Sequence, residues 1–253
     1  MAFRAAFISG ASSGLGHAIA RALAAQGTRV VLAARRREQL EQLRDDIVGA
    51  GGGADVCVLD VANATAVTAA VQEWDERSGG FDLVIANAGV GGTGPAHELR
   101  WSTVEKMLRV NVDGALATLV AAIPGMTSRG VGTLAAVTSL AGLRGLPASA
   151  TYSASKAAVS TFLESIRADL HGHGLRVCDI QPGFVDTPLT QQNRFHMPFM
   201  ISADDAAAAV VQGLSRGSAI ISFPWQLSMA MRIAENMPNP LWNALARRSS
   251  FSG

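Results

Sequence analysis

The sequence predicts an α/β fold in which one parallel sheet carries helices on both faces. Two patterns predict it. Short aliphatic or β-branched runs alternate with longer helical stretches along most of the chain, and strands joined through helical crossovers lie parallel and right-handed. The first strand also runs straight into a glycine-rich turn, "ISGASSGLGHA", that opens a helix, a junction suited to holding phosphate groups. A length of 253 residues, 49% hydrophobic and 16% charged, suits one large domain with a well-covered sheet rather than a disordered chain.

Taken in order, "AAFIS" leads to a helix from Leu15 to Gln26, and "RVVLA" to one from Arg37 to Val48. "ADVCVLD" leads to Ala64–Arg77, and "DLVIAN" to Ser102–Val112. A helix from Asp113 to about Ser128 precedes the strand "GTLAAVTS", and a long helix from about Ala150 to His171 precedes "LRVCDIQPG". A helix near Ala203–Leu214 and the strand "SAIISF" complete seven strands. Each strand is too short for a helix and rich in sheet-forming residues, whereas the helical stretches repeat apolar residues at helical spacing. "GAGGG" at Gly49–Gly53 is a turn, and residues 186–202, with proline, polar residues and weak periodicity, read as a mobile loop. Beyond residue 222 the chain carries an extension, 223–253, in which "WQLSMAMRIAENM" and "PLWNALARR" read as short helices separated by Pro238 and Pro240.

A net charge of +1, from 21 basic and 20 acidic residues, provides no field for a nucleic-acid backbone. Cys57 and Cys178 sit in apolar strand-like runs without CxxC spacing, which points to buried thiols in a reducing compartment, with a Cys57–Cys178 disulfide as the lesser alternative. No basic leader with a cleavage pattern and no uninterrupted apolar run of spanning length is evident, so the expectation is a cytoplasmic protein. His97, His171, His173 and His196 lack metal-ligand spacing, and His17 reads as a partly exposed helix residue.

Gly10, Gly14 and Gly16 lie at the strand-to-helix junction, where backbone N–H groups can approach a pyrophosphate at the helix N-terminus. Their spacing is GxxxGxG rather than GxGxxG. At the end of the second strand, where an acid would bind a free ribose 2′-hydroxyl, stand Ala34 and then Arg35, Arg36 and Arg37. Guanidinium groups there favour NADP over NAD, while solvated charge remains the alternative for Arg36 and Arg37 individually. Asp60 can accept from the adenine amino group or cap the next helix. Asn87-Ala88-Gly89 follows the fourth strand and Ser139 the fifth, both at the edge where open α/β sheets bind ligands. Tyr152, the sole tyrosine, and Lys156 share one helix face, and Asn111 interrupts a helical stretch.

These marks together, Gly10-x-x-x-Gly14-x-Gly16, Asn87-Ala88-Gly89, Asn111, Ser139, Tyr152-x-x-x-Lys156 and Pro182-Gly183, resemble the short-chain dehydrogenase/reductase family over essentially the whole length. The resemblance implies a Rossmann-like doubly wound fold with strand order 3-2-1-4-5-6-7, a catalytic domain over 1–222 with the extension as part of it, and hydride transfer with a nicotinamide cofactor. It also implies a homodimer or homotetramer built on the helices holding Asn111 and Tyr152. Many NADP-preferring relatives carry a basic residue before the second glycine, where this chain has Ser13.

On that resemblance the cofactor contacts fall to Gly10, Ser12, Ser13, Gly14, Leu15 and Gly16, to Arg35 and Arg36, and to Asp60 and Val61. Asn87, Ala88, Gly89, Tyr152, Lys156, Pro182, Gly183, Val185 and Thr187 complete the set, with Pro182 and Gly183 as the floor under the nicotinamide and Thr187 on its carboxamide. Tyr152 is the expected general acid or base, its pKa lowered by Lys156. Ser139 orients the substrate oxygen, and Asn111 anchors a water linking Lys156 to solvent. Singly, Ser139 also reads as a turn cap and Lys156 as a solvated lysine.

The substrate is expected against Ser139, Ala141, Leu146, Tyr152 and Phe184. Leu140, Leu143, Pro147, Val185, Phe195, Met197, Phe199 and Met200 lie nearby. This apolar lining predicts a hydrophobic ketone, aldehyde or secondary alcohol, with Arg144 and Arg194 as places where a carboxylate could instead bind. A cofactor-binding sensor or scaffold without turnover is the alternative function. The extension reads as packing on the core, covering the substrate loop or joining a neighbouring subunit. Membrane contact through Trp225, Trp242, Arg247 and Arg248 is weaker, since two basic residues attract anionic lipid little.

Overall fold

The seven strands are β1 (Ala5–Ser9), β2 (Arg29–Ala34), β3 (Ala54–Val58), β4 (Leu83–Ala86), β5 (Gly132–Val137), β6 (Leu175–Pro182) and β7 (Ile220–Phe223). In the computed structural model, which describes residues 3–193 and 196–246, they form one sheet in the order β3-β2-β1-β4-β5-β6-β7, the order the resemblance implies. Every pairing is parallel, with Phe7 opposite Val31 on one side and Val84 on the other. The chain leaves β1 in one direction for β2 and β3, then returns to lay β4 on its other edge. This reversal opens a crevice at the carboxyl ends of β1 and β4.

Alternate strand residues feed two separate cores. Ile8, Leu32, Ile85 and Ile180 pack with Leu23, Leu43, Val210 and Leu214, which come from α1 (Gly14–Ala25), α2 (Arg37–Gly49) and α7 (Ala203–Arg216). Phe7, Val31, Val84, Leu134 and Val177 pack on the opposite face with Val71, Leu119 and Leu163, from α3 (Ala64–Arg77), α5 (Gly114–Arg129) and α6 (Ala150–Leu170). Burial on both faces is why the strands read as continuous apolar runs instead of alternating ones. Cys57 and Cys178 are free and buried in opposite cores, so the sheet separates them and the disulfide alternative falls.

The two helices expected around Asn111 are one rod. α4 (Trp101–Leu108) passes through a π-helical turn, Arg109–Asp113, into α5, and the Gly114 N–H donates to Arg109 O, an i to i+5 bond that accommodates one extra residue. The rod, residues 101–129, is long and apolar enough by length and composition to cross a membrane, although half of its most apolar window is buried within the domain. It packs on α3, β4, β5 and α6, so its buried half serves the core, while Trp101 and Val120 are exposed.

In the extension, α8 (Trp225–Glu235) and α9 (Asn239–Ala246) form as two helices. Pro240 does not break them apart. It lies in the first turn of α9, where its missing N–H has no intrahelical use, and the Pro238 carbonyl accepts from Leu241 and Trp242. The 186–202 segment is a loop with internal ties: Val185 bridges Ile201, and the Thr190 hydroxyl donates to Val185 O at 2.6 Å. Arg194, Phe195, Arg247 and Arg248 lie outside the described residues.

Candidate active site

The glycine turn is built against β4. Gly10 and Gly14 have φ of +70° and +59°, a left-handed conformation that side chains disfavour. A Cβ on Gly10 would lie 2.7 Å from Ala88 Cα, and one on Gly16 would run into the Asn87 amide. Asn87 is the fastening: its Nδ2 donates to Ser9 O (2.9 Å) and Gly10 O (3.1 Å), and the Asn87 and Ala88 N–H groups donate to Ser9 Oγ. Ser13 at the start of α1 makes no capping bond, which leaves the first-turn N–H groups without a side-chain partner where Gly14, Leu15 and Gly16 line a cleft. A pyrophosphate fits this cradle in charge and in space. Gly14 also admits the loop after β6, since Thr187 Cβ lies 3.2 Å from where its Cβ would be.

All of the sequence-predicted cofactor residues line this cleft, from Gly10, Ser12 and Ser13 through Arg35, Arg36, Asp60, Val61 and Asn87 to Lys156, Pro182, Gly183, Val185 and Thr187. The three arginines divide. Arg37 pairs with Glu41 one helical turn on (3.4 Å), which makes it the solvated charge of the alternative reading. Arg36 lies across the turn, donating to Ser12 Oγ (2.8 Å) and Ser13 Oγ (2.6 Å). Arg35 lines the cleft, exposed and without a partner among the described residues. Asp60 does not cap α3: its Oδ1 accepts from Ala62 N (3.1 Å), and Asn63 caps the helix by accepting from Ala66 N.

At the other end of the cleft, α6 presents Tyr152 and Lys156. Lys156, 5% exposed, donates from Nζ to Val137 O (2.8 Å), and Nζ stands 5.7 Å from the Tyr152 ring centroid. Burial pushes its pKa down to about 8, opposed by the nearby Asp179 carboxylate. Burial raises the pKa of Tyr152, with hydrogen bonding to Ser139 working against it. Tyr152 is half-buried on the cleft wall, and the Lys156 ammonium is directed to a backbone carbonyl, so burial and Ser139 set the direction of the tyrosine shift.

Asn111, 1% exposed, accepts from Val90 N (2.8 Å) and donates to Val90 O (2.9 Å) and Ser155 Oγ (3.0 Å). Ser155 in turn donates to Tyr152 O. Both amide protons of Asn111 are thus engaged, and only one Oδ1 lone pair is left for a water. A Cβ on Gly89 would lie 3.5 Å from both Asn111 Oδ1 and Lys156 Nζ, so these atoms are at most about 7 Å apart across an open glycine face. Ser139 Oγ accepts from Ala141 N (3.1 Å) and donates to Pro182 O at a long 3.3 Å, so it does cap the Leu140–Gly142 turn as well as lie near Tyr152.

Of the residues expected to contact substrate, Tyr152 lines the cleft, and Ser139, Ala141, Leu146 and Phe184 do not. Ser139 is buried, and packing beyond Gly183, whose Cβ would meet Leu227 at 2.7 Å and Leu140 at 3.3 Å, closes the cleft on that side, while Ala141, Leu146 and Phe184 are half-buried outside it. Sequence reading missed Ser9, Val90 and Ser155, whose roles are backbone ties, and Leu59, Val110, Leu189 and Thr190, which line the cleft. It also missed a buried polar trio on the sheet: Thr138 and Gln181 both donate to the Asp179 carboxylate, and the polar letters of "DIQ" inside an apolar strand were its only signal.

The short chain dehydrogenase profile matches residues 4–197. The chain belongs to this family. It is an NAD(P)-dependent oxidoreductase. A Myxococcus xanthus protein described as an uncharacterized oxidoreductase is 50% identical over 248 residues, 98% of each chain. The alcohol dehydrogenase of the archaeon Thermococcus sibiricus, solved with 5-hydroxy-NADP, has a TM-score of 0.79 at 29% identity over 87% of this chain and 94% of that one. A Burkholderia phymatum short-chain dehydrogenase/reductase, solved with NAD, matches in fold with a TM-score of 0.85 at 24% identity, covering 91% and 92%.

Proposed function

We propose that the protein uses NADP(H) to interconvert a hydrophobic ketone or aldehyde and the corresponding alcohol, with Asn111, Ser139, Tyr152 and Lys156 as its reactive set. The observation that carries this reading is a single cleft with the glycine cradle and an unpartnered Arg35 at one end and Tyr152 over Lys156 at the other. The absence of an acid at Ala34, with Arg36 folded over Ser12 and Ser13, supports a 2′-phosphate rather than a free hydroxyl on the ribose.

NADP(H), when bound, supplies or accepts the hydride at the substrate carbon. Tyr152 then gives its proton to the carbonyl oxygen during reduction, and takes it back during oxidation. A phenol, with an ordinary pKa of about 10, carries its proton at neutral pH, and burial, which raises that pKa, must be offset in the transition state by Lys156 and Ser139. Ser139 sits behind the lining of the nucleotide cleft but within hydrogen-bond reach of Tyr152, so a substrate oxygen that reaches Tyr152 can take over its long bond to Pro182 O and be oriented there. Lys156 holds positive charge beneath the tyrosine below about pH 8, and the gap over Gly89 between Lys156 and Asn111 suits one water in a relay that reprotonates the pair.

The test is NADPH oxidation against a panel of apolar ketones, with Tyr152→Phe as control. Turnover should fall by about 10²-fold or more in the variant while NADPH still binds. If no carbonyl is turned over faster than by the variant, a binding protein replaces the enzyme in this reading. Arg35→Asp should shift preference from NADP toward NAD, and a preference of the unmodified protein for NAD would refute the cofactor assignment.

A further inference from the structure

Arg144 stands five residues beyond Ser139, on the loop that leaves the Leu140–Gly142 turn. Its guanidinium is directed entirely to the C-terminal extension: Nη1 donates to Glu235 O (3.1 Å) and Nη2 to Asn239 Oδ1 (2.6 Å), while Cζ lies 5.6 Å from the Trp242 ring centroid. Glu235 ends α8, where carbonyls lack intrahelical donors and the helix dipole favours a cation. Asn239 opens α9 and Trp242 lies on it. One side chain therefore joins both terminal helices to the loop that follows the reactive serine.

α8 is also seated on the reactive end itself. Leu227 packs on Gly183 together with Leu140 and Pro224, and Ser228 Oγ donates to Ser222 Oγ of β7. Any displacement of α8 is thus felt at Gly183, which lines the cleft, and at Leu140, next to Ser139. Both hydrogen bonds of Arg144 run to neutral acceptors of the extension, and Arg144 does not line the cleft.

We propose that Arg144 is a specificity-determining positioning residue: it clamps α8 and α9 against the Leu140–Gly142 turn, and α8 so held, seated through Leu227 on the cleft-lining Gly183, limits the size of the substrate's apolar group. This inference rests on the carbonyl chemistry proposed above. The clamp acts through geometry, so its loss changes which ketones fit before it changes how tightly the nucleotide binds.

The experiment compares Arg144→Met, Arg144→Lys and Trp242→Ala with the unmodified protein, using small and bulky apolar ketones, NADPH titration and hydrogen exchange across 225–246. In Arg144→Met, exchange in α8 and α9 should accelerate, and the ratio of kcat/KM for bulky over small ketones should rise about tenfold, the scale of discrimination by an apolar wall. The change should lie in the ketone KM, with NADPH affinity held within about twofold. Arg144→Lys keeps one hydrogen bond and should restore part of the selectivity. Trp242→Ala, which removes the ring contact and leaves both Arg144 hydrogen-bond acceptors in place, should move in the same direction by less, and serves if the methionine variant does not fold. Unaltered exchange, or faster exchange with an unchanged ketone profile, would overturn the proposal. Failure of the unmodified protein to reduce any ketone would instead overturn the proposed function and its size selectivity, while the exchange measurement still decides whether Arg144 holds the helices.

Discussion

Replacing Lys156 by methionine should make the protein more stable and inactive at once. The chain has two lysines; Lys106 is exposed and Lys156 is buried. A fall in pKa from 10.5 to about 8 means that keeping this ammonium charged costs the folded state about 3 kcal/mol. The unfolded chain holds the proton up to its ordinary pKa and the folded protein releases it near 8, so stability rises with pH between those values. Below about pH 8 the full cost is present. Methionine fills similar volume without the charge, but it leaves Val137 O without its donor, a loss of about 1–2 kcal/mol. The net expectation is a gain of about 1–2 kcal/mol at pH 7, shrinking to about zero by pH 9.5. Urea unfolding at both pH values measures it, and taking the difference between the two proteins cancels the thiols. Burial raises the pKa of Cys57, and that of Cys178 to about 12, which withdraws stability from both proteins as pH rises past the ordinary thiol range. A methionine variant less stable at pH 7, or a difference that does not shrink with pH, would refute this account of Lys156.

Two further outcomes follow from glycine-like positions near the site. Gly89→Ala places a methyl at ordinary contact distance from Asn111 Oδ1 and Lys156 Nζ; unfolding free energy should change by no more than about 1 kcal/mol, whereas steady-state kcat should drop about tenfold because the relay gap is filled. Ala148 has a φ of +57°, a left-handed conformation that costs alanine about 1 kcal/mol. Ala148→Gly should raise the thermal midpoint by about 1–3 °C, less the added entropy of the unfolded chain, as read by thermal denaturation.

Strand and helix order is legible in this chain because the interior strands are mainly apolar on both faces, β6 with its Asp179 and Gln181 being the exception, and the crossovers begin or end at polar or glycine breaks. The glycine turn and the tyrosine–lysine pair are legible for the same reason: both are local spacings with one structural meaning. What escapes is tertiary. Asn87 gives no sign that its amide grips Ser9 and Gly10. Asp60 and Asn63 are equally good cap letters, and the backbone path alone decides that Asn63 caps. Arg144 resembles any loop arginine until α8 and α9 are placed around it. The direction of the Tyr152 shift depends on desolvation, which spacing does not encode.

The π-helical turn at Arg109–Asp113 has a mechanical meaning. One extra residue advances a helix by about 100° of rotation, so the rod changes phase in its middle. Ahead of the turn α4 faces α6, and beyond it α5 faces α3 and the sheet. Asn111 occupies the clutch between two sections that would otherwise compete for one apolar stripe. Removing a single residue there would leave an unbroken helix, yet it would swing the α4 section out of register with α6 and carry Asn111 away from Val90.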